Sequence, residues 1–377
     1  MRWNELRIQP DTPGPQAPDS PAGGATDAPG GRPGPAAPAL FERGAITRSF
    51  DTPGFRGMTF FEVHARSVIN RVPDSSRVPF RWTINPYRGC SHSCVYCFAR
   101  NTHTYLDLDA GHDFDSKIVV KVNAPELVRK ELAARKWQGE HIAMGTNVDC
   151  YQRAEGRYQL MPGILRALRD ARNPFSILTK GTLILRDLDL LVAAAEVTEV
   201  GLSVSAGCTD EDLWRTLESG TPSPRRRLGV CATLTEHGLP CGVLMGPVVP
   251  FLSDSPAQLE ATVRQVAEAG ATHVSPIVLH LRPGAREWFM AWLAEHHPAL
   301  VPRYRGLYGG RAYAPKDYQR QISEQVRNLA ERHGVGRGRR AWRAPPAVPP
   351  GRNGPGGNAA GGNAAGGNAE PVQLSLL

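Results

Sequence analysis

The chain has 377 residues, of which 44 are Lys or Arg and 36 are Asp or Glu, so its formal charge is +8. This excess favours contact with nucleic acid or another polyanion, although charge alone does not name the partner. The sequence has no apolar run of about 18 residues and no apolar stretch near its start, which argues against a membrane span or a signal peptide and for a soluble, cytoplasmic protein. Its seven cysteines are odd in number, which argues against a disulfide framework and for a metal site in a reducing compartment.

Residues 1–45 are rich in Pro, Gly and Ala and poor in aromatic and branched side chains. Ordering such a segment costs more conformational entropy than its burial returns, so we expect a disordered arm. The apolar pattern begins between Phe55 and Val72. We expect this pre-barrel segment, residues 46–80, to supply a strand and a short helix ahead of the main domain.

Between residues 81 and 334, short β-rich runs alternate with stretches of helical period, which is typical of βα units around a parallel sheet. The predicted strands are Trp82–Tyr87, His141–Asn147, Ser176–Lys180, Val200–Ser205, Cys241–Pro247 and His273–Leu281. The predicted helices are Pro125–Trp137, Met161–Arg172, Asp187–Ala195, Pro224–His237, Pro256–Ala269, Ala285–His296 and an outer helix, Lys316–His333. Six units are too few for a closed eight-stranded barrel, so we predict an α/β fold, a partial (β/α)6 TIM-like barrel with disordered N- and C-terminal tails. Right-handed crossovers then place all strand carboxyl ends, and the active site, on one rim.

The loop after the first barrel strand carries Cys90, Cys94 and Cys97 in CxxxCxxC spacing. A [4Fe-4S] cluster normally takes four thiolates, so three cysteines on one loop leave one iron free for another ligand. A zinc site is the alternative, and it needs a fourth ligand such as His92 or His103 to complete its tetrahedron. A chance grouping of structural cysteines is the remaining interpretation.

The stretch CSHSCVYC resembles the signature of the radical S-adenosylmethionine superfamily, with Tyr96 at the usual aromatic position. The blocks GTNVDCYQ, ILTKG, TPSPRRRL and GPVVPFLSD resemble the branch that includes spore photoproduct lyase, a DNA repair photolyase-like group, and within it an actinobacterial subgroup without an assigned substrate. The resemblance implies a [4Fe-4S] cluster on the three cysteines, S-adenosyl-L-methionine at the open iron and an external one-electron donor. It also implies reductive cleavage of that cofactor to a 5'-deoxyadenosyl radical.

In this superfamily S-adenosylmethionine lies across the strand carboxyl ends. The residues that end the second, third and fourth strands are therefore its candidate contacts: Gly145, Thr146, Asn147, Lys180 and Ser205. The fifth strand ends in residues 247–250, which we expect to shape the adenine pocket. Cys150, just past the second strand, is a candidate hydrogen-atom donor to a substrate radical, with a passive thiol as the alternative. The run from Arg225 to Arg227 opens a helix and is interpreted as a solvated face.

Residues 335–377 form a basic and then Gly-rich tail. Its last five residues resemble the QLxLF peptide by which bacterial repair and replication proteins dock on the DNA sliding clamp: Gln373, Leu374, Ser375, Leu376 and Leu377. A flexible tail of this length would tether the catalytic domain near clamp-encircled DNA.

Three hypotheses follow for the function. The first is a radical enzyme that acts on nucleic acid, as in the repair of a DNA lesion. The second is a radical enzyme that acts on RNA, a peptide or a small metabolite. The third is a zinc-binding, non-catalytic adaptor for DNA and the clamp.

Overall fold

A computed structural model describes residues 45–74, 76 and 78–335 of the chain. Its strands fall into two sheets, one of seven strands and one of four. The expectations for residues 1–44 and 336–377, including the clamp-like peptide, lie outside the described residues.

The larger sheet contains six parallel strands, and each of them overlaps one of the six predicted barrel strands. In spatial order they are β4 (Trp82–Ile84), β7 (Ile142–Met144), β8 (Phe175–Thr179), β9 (Val200–Ser205), β10 (Cys241–Val248) and β11 (Val274–Val278). A short strand, β3 (Ile69–Arg71), pairs antiparallel with β4 at one edge. The sequence prediction of a partial, TIM-like α/β barrel is confirmed.

The smaller sheet packs beside the start of the barrel. Its order is β1 (Ile46–Ser49), β2 (Thr59–Val63), β6 (Lys117–Lys121) and β5 (Tyr87–Arg88). The first predicted strand is therefore divided, because β4 pairs in the large sheet while β5 pairs with β6 in the small one.

The expected short helix before the barrel is wrong. The described residues between Phe55 and Val72 form β2 and β3, and the preceding helical turn is a 3-10 turn at Pro53–Phe55. Tertiary pairing decides this segment: Ile69 pairs with Ile84 of β4, and the amides of Val68 and Ile69 donate to the Glu131 carboxylate. Branched side chains also favour a strand over a helix here.

All seven predicted helices are present. In chain order the α-helices of the described residues are α1 (His112–Ser116), α2 (Ala124–Leu132), α3 (Arg153–Tyr158), α4 (Leu160–Asp170), α5 (Leu188–Ala195), α6 (Glu211–Leu217), α7 (Pro224–Glu236), α8 (Pro256–Glu268), α9 (Ala285–His296), α10 (Val301–Tyr308) and α11 (Lys316–His333). The Ser255 side chain caps α8 in a capping box with Gln258, and α11 packs outside the sheet on α8 and β11. Within the described residues, no helix has the length and apolar character needed to span a bilayer.

The core lies between the large sheet and its helices. All three residues of β7 are buried, which is expected for a parallel strand covered on both faces. In β8 burial alternates: Phe175, Ile177 and Thr179 are buried, and the residues between them are half-buried. The register pairs Thr179 of β8 with Val204 of β9, and Ser205 with Leu244 of β10. The carboxyl ends of neighbouring strands therefore reach the same rim, where the cysteine loop also lies.

Candidate active site

A cavity of about 890 Å³, partly open to solvent, occupies this rim. Its walls come from the cysteine loop and from the ends of five strands. The lining residues are Cys90, His92, Cys94, Tyr96, Cys97, Phe98, Gly145, Thr146, Asn147, Asp149, Leu178, Thr179, Lys180, Ser205, Leu244, Gly246, Pro247, Ile277, Val278, Leu279 and His280. The cavity thus brings together all the residues proposed from the sequence to hold the cluster or its cofactor.

The three predicted cluster cysteines face this one cavity. Cys90 and Cys94 are buried and Cys97 is half-buried, and burial raises the pKa of each thiol. Thiols of raised pKa stay protonated until a metal displaces the proton. Among the described residues no fourth cysteine lines the cavity. Three thiols with free space beside them fit a cluster that keeps one iron open to an outside ligand.

Residues that follow β7 hold the cysteine loop in place by hydrogen bonds. The Gln152 side chain accepts a hydrogen bond from the Ser91 amide (3.0 Å) and donates to the Gly89 carbonyl (2.9 Å), and it is completely buried. Asp149 accepts from the Thr179 hydroxyl (2.7 Å) and the Lys180 amide (2.6 Å), so one carboxylate joins the ends of two strands. The end of the block GTNVDCYQ therefore supports the cysteine loop through Gln152.

His92 lies between the first two cluster cysteines, and its Nδ1 is 3.4 Å from an Asp149 oxygen. Burial lowers the pKa of His92 to about 4, although the Asp149 carboxylate opposes this effect. His103 lies elsewhere: its Nε2 is 2.8 Å from the Lys117 carbonyl oxygen and its ring packs against Phe114. His103 does not line the cavity, so it is not placed to complete a zinc tetrahedron there.

Arg100 fixes the other side of the loop. Its guanidinium is fully buried, donates to the Cys94 carbonyl from Nε and Nη2, and forms a bidentate pair with Asp115 at 2.9 Å. The same group lies 4.8 Å from the Trp288 ring centroid. A planar guanidinium suits this position because it satisfies several acceptors at fixed angles.

We expect Gln152→Ala to loosen the cluster loop. The substitution leaves the buried Ser91 amide and Gly89 carbonyl without partners, at a cost of about 1–3 kcal/mol. In the anaerobically reconstituted protein, the visible absorbance of the cluster should decay faster in the presence of an iron chelator. Gln138→Ala, an exposed matched control, should decay at the wild-type rate. Equal decay for both variants would contradict the support role of Gln152.

Lys180 and Ser205 form a linked pair on the opposite wall. The Lys180 ammonium donates to the Ser205 hydroxyl (2.6 Å) and the Gly246 carbonyl (3.3 Å) and lies 3.6 Å from a Glu218 oxygen. Ser205 also donates to the Gly246 carbonyl at 3.0 Å. Lys180 was predicted to contact the cofactor, but the nearest partners of its ammonium are groups of the protein that join β8, β9 and β10.

Behind this pair lies a buried ionic group that sequence analysis missed. Glu218 forms an ion pair with Arg227 and accepts a hydrogen bond from the Tyr96 hydroxyl. Burial by itself raises the pKa of Glu218, but Arg227 and Lys180 outweigh it and lower the pKa to about 2. Glu218 therefore holds Tyr96 of the cluster loop against the wall that carries Lys180.

The predicted solvated face is wrong for one of its three arginines. Arg225 and Arg226 are exposed, whereas Arg227 is 1% exposed and donates to the Ser205 carbonyl (2.8 Å) as well as to Glu218. The helical period indicates the burial of Arg227, because this residue lies one turn of α7 from Pro224 and from Cys231, which are both buried.

Gly145, Thr146 and Asn147 line the cavity where β7 ends, as expected. Gly145 has a φ of +75°, and a Cβ atom there would lie 1.8 Å from the Leu178 carbonyl oxygen. Only glycine lets β7 approach β8 this closely. Of residues 247–250, which were predicted to shape the adenine pocket, Pro247 lines the cavity, whereas the other three are buried and do not line it.

Cys150 is not in this cavity. Its side chain is completely buried in the main hydrophobic cluster, and burial raises the pKa of the thiol. The chain has left β7 at this point and forms a turn, which packs both Cys150 and Tyr151 into the core. This position does not support the expected role of a hydrogen-atom donor to a substrate at the rim.

Comparison with known proteins identifies the family. A family model described as the Radical SAM superfamily matches residues 84–266, from β4 through most of α8. The chain belongs to the radical SAM superfamily. As a member it is a radical S-adenosylmethionine enzyme, a family that implies an iron–sulfur cluster and S-adenosylmethionine, and the alternative of a non-catalytic zinc adaptor is set aside.

The relatives extend this likeness beyond the matched core. An uncharacterised protein of Mycobacterium tuberculosis is 49% identical over 292 residues, which cover 78% of this chain and 86% of that protein. An uncharacterised protein of Methanocaldococcus jannaschii is 32% identical over 174 residues, 46% of this chain and 62% of that one. Among solved structures, a variant of spore photoproduct lyase with bound AdoMet and dinucleoside spore photoproduct has a TM-score of 0.55 at 16% identity, covering 74% of this chain and 80% of that chain. At this identity the structural likeness establishes the fold.

Proposed function

We propose that this enzyme holds a [4Fe-4S] cluster on Cys90, Cys94 and Cys97, cleaves S-adenosylmethionine reductively to a 5'-deoxyadenosyl radical, and acts on nucleic acid, as in the repair of a DNA lesion. The observation that carries the proposal is the single cavity that the three thiols share with the ends of the barrel strands. The cluster supplies the electron and the open iron that binds the cofactor.

The residues of the chain position the cofactor and exclude water from it. The strand-end segment Gly145 to Asn147 offers backbone and side-chain polar groups beside the cluster loop, in reach of the cofactor's amino-acid end. Ser205 and the Gly246 carbonyl, ordered by Lys180, present polar atoms to the ribose. Pro247 and the apolar residues from Ile277 to Leu279 line the cavity, and they would hold the adenine and exclude water from it.

The substrate class is supported by charge and by the related fold. The formal charge of +8 favours a polyanion. Solved structures that share this fold include spore photoproduct lyase complexed with dinucleoside spore photoproduct. A base inside a duplex would have to be extruded to reach the rim, which is easiest where pairing is already broken. Docking on the sliding clamp through Gln373 to Leu377, an external electron donor and a cytoplasmic location stay predictions.

Anaerobic reconstitution tests the cluster and its chemistry. We expect about four irons per chain, and release of 5'-deoxyadenosine when dithionite and S-adenosylmethionine are added. Cys94→Ala should abolish both signals. Cys150→Ala, which removes a thiol packed in the core, should keep both, at a modest cost in stability. Intact cofactor cleavage in Cys94→Ala would overturn the proposal.

The substrate is tested separately with the same preparation. Damaged and undamaged DNA, RNA and cell extract should be compared for substrate-dependent formation of 5'-deoxyadenosine and for altered product. Stimulation by damaged DNA supports the repair assignment. Stimulation only by RNA, or only by the small-molecule or peptide fraction, would favour the second hypothesis.

A further inference from the structure

An exposed aromatic side chain, Tyr313, contacts His280 of the active-site cavity wall, and the surface at these two residues is called the mouth of the cavity. Tyr313 is 38% exposed, and its ring centroid is 4.6 Å from that of His280, a lining residue of the cavity. Large aromatic side chains are usually covered, so one that is held at a cavity entrance with its surface in water is a candidate contact for a ligand.

Tyr313 is held firmly in this position. His280 and Tyr313 form an antiparallel bridge, and the Leu281 amide donates to the Ala312 carbonyl at 2.8 Å. The Arg286 side chain reinforces the contact by donating to the Gly310 carbonyl at 2.9 Å. The backbone before and at Tyr313 is thus fixed to the end of β11. A ring that is already ordered loses little conformational entropy when it stacks on a ligand.

One cationic side chain contacts the ring, and a second lies close to it in the sequence. Arg282 donates a 2.6 Å hydrogen bond to the Tyr313 hydroxyl, and its guanidinium carbon lies 5.8 Å from the ring centroid. Arg311 precedes the ring by two residues and is exposed. Within residues 78–335, neither Arg282 nor Arg311 forms an ion pair with a carboxylate. The mouth therefore combines a flat apolar face with two guanidinium groups that pair with no carboxylate of the described residues.

We propose that Tyr313 is a stacking platform for a base of single-stranded or extruded nucleic acid, and that Arg282 and Arg311 contact its phosphates. This inference rests on the proposed function and names the nucleotide contact of the same site. Aromatic stacking with arginine at the backbone is the arrangement by which proteins bind unpaired strands without reading their sequence. A peptide or small metabolite offers the mouth no equivalent repeat of flat base and phosphate.

The test compares two labelled single strands of about 15 nucleotides, one with thymine throughout and one that is abasic throughout, by fluorescence anisotropy with the full-length reconstituted protein. Both strands carry the same phosphates, so ionic contacts with the phosphates contribute equally to the two, and the comparison of variants with wild type isolates the contribution of Tyr313. We expect the wild type to prefer the thymine strand, and Tyr313→Ala to lower that preference about five-fold or more. Tyr313→Phe keeps the ring and should keep most of the preference.

Two controls make the result specific. Tyr105→Ala removes the most exposed of the large apolar side chains in the described structure, 77% exposed, and should leave the preference unchanged. Arg282→Ala should weaken binding of both strands alike and reduce the salt dependence of binding by about one charge.

Different measurements would contradict the stacking platform and the proposed function. An unchanged preference in Tyr313→Ala would overturn the stacking platform, and so would a wild type that binds both strands equally. Formation of 5'-deoxyadenosine without substrate should be the same in wild type and Tyr313→Ala. If neither protein formed 5'-deoxyadenosine, the proposed chemistry would be rejected, but the strand-binding result would still decide on the stacking platform.

Discussion

Replacing Arg227 with methionine should destabilise the fold by about 3–5 kcal/mol, because it leaves the Glu218 carboxylate buried without its main partner. Both side chains are almost fully buried, and Arg227 also donates to the carbonyls of Pro222 and Ser205. The free energy of unfolding, measured with urea, checks the effect. Cofactor binding should weaken as well, since Glu218 positions Tyr96 and Lys180 at the cavity wall.

Arg226→Met is the matched control, because it makes the same change at the neighbouring, exposed position of α7. Its effect should stay within about 0.5 kcal/mol, as for ordinary surface substitutions. Similar losses in both variants would mean that the helix, and not the buried ion pair, accounts for the destabilisation.

The pH dependence of the Arg227→Met effect follows from Glu218. Its pKa falls from 4.5 to about 2 in the fold, so the carboxylate contributes stability that is fully present above 4.5 and lost as the pH falls toward 2. A change of this size corresponds to roughly 3 kcal/mol, in line with the cost of breaking the pair. The difference between wild type and Arg227→Met should therefore be largest at neutral pH and shrink below about pH 4.5. A difference that is constant from neutral pH to pH 3 would contradict this account.

Periodicity was sufficient to predict the barrel. Short β-rich runs alternate along the chain with stretches of 3.6 period, which belong to helices, so six units could be counted without a structure. The segment before the barrel could not be predicted this way. Its strand β3 is three residues long and depends on β4 and on Glu131, which is more than 60 residues away in sequence.

The site was predictable where one short motif or one strand end supplies the residue. The cluster cysteines and the segment Gly145 to Asn147 meet at the rim for this reason. The roles of Glu218, Gln152 and Arg100 were not predictable, although Gln152 ends the block GTNVDCYQ, because each acts through backbone carbonyls, amides or a distant charge that only the folded chain brings close. For Cys150 the sequence predicted a position near the rim, but it gave no information on the direction of the side chain.

Gly145→Ala should destabilise the enzyme by about 2–5 kcal/mol and weaken S-adenosylmethionine binding. Two costs add: a left-handed φ costs an L-residue about 1–2 kcal/mol, and forcing a methyl group against packed backbone costs about 1–3 kcal/mol. The obstacle is the Leu178 carbonyl of β8, which cannot rotate away as a side chain would. Relief of the clash must separate β7 from β8 and displace Thr146 and Asn147 from the cavity wall. Urea unfolding and equilibrium dialysis with the cofactor measure the two effects.

Gly139→Ala separates these costs. Gly139 has a φ of +74°, almost equal to that of Gly145, but a Cβ atom there would meet nothing within 4 Å. Its substitution should cost only the conformational share, about 1–2 kcal/mol, and leave cofactor binding unchanged. If the two alanines were equally costly, the close approach of β7 to β8 would not constrain the site. If Gly145→Ala alone lost cofactor affinity, the spacing of these two strands would be the feature that forms the cofactor wall.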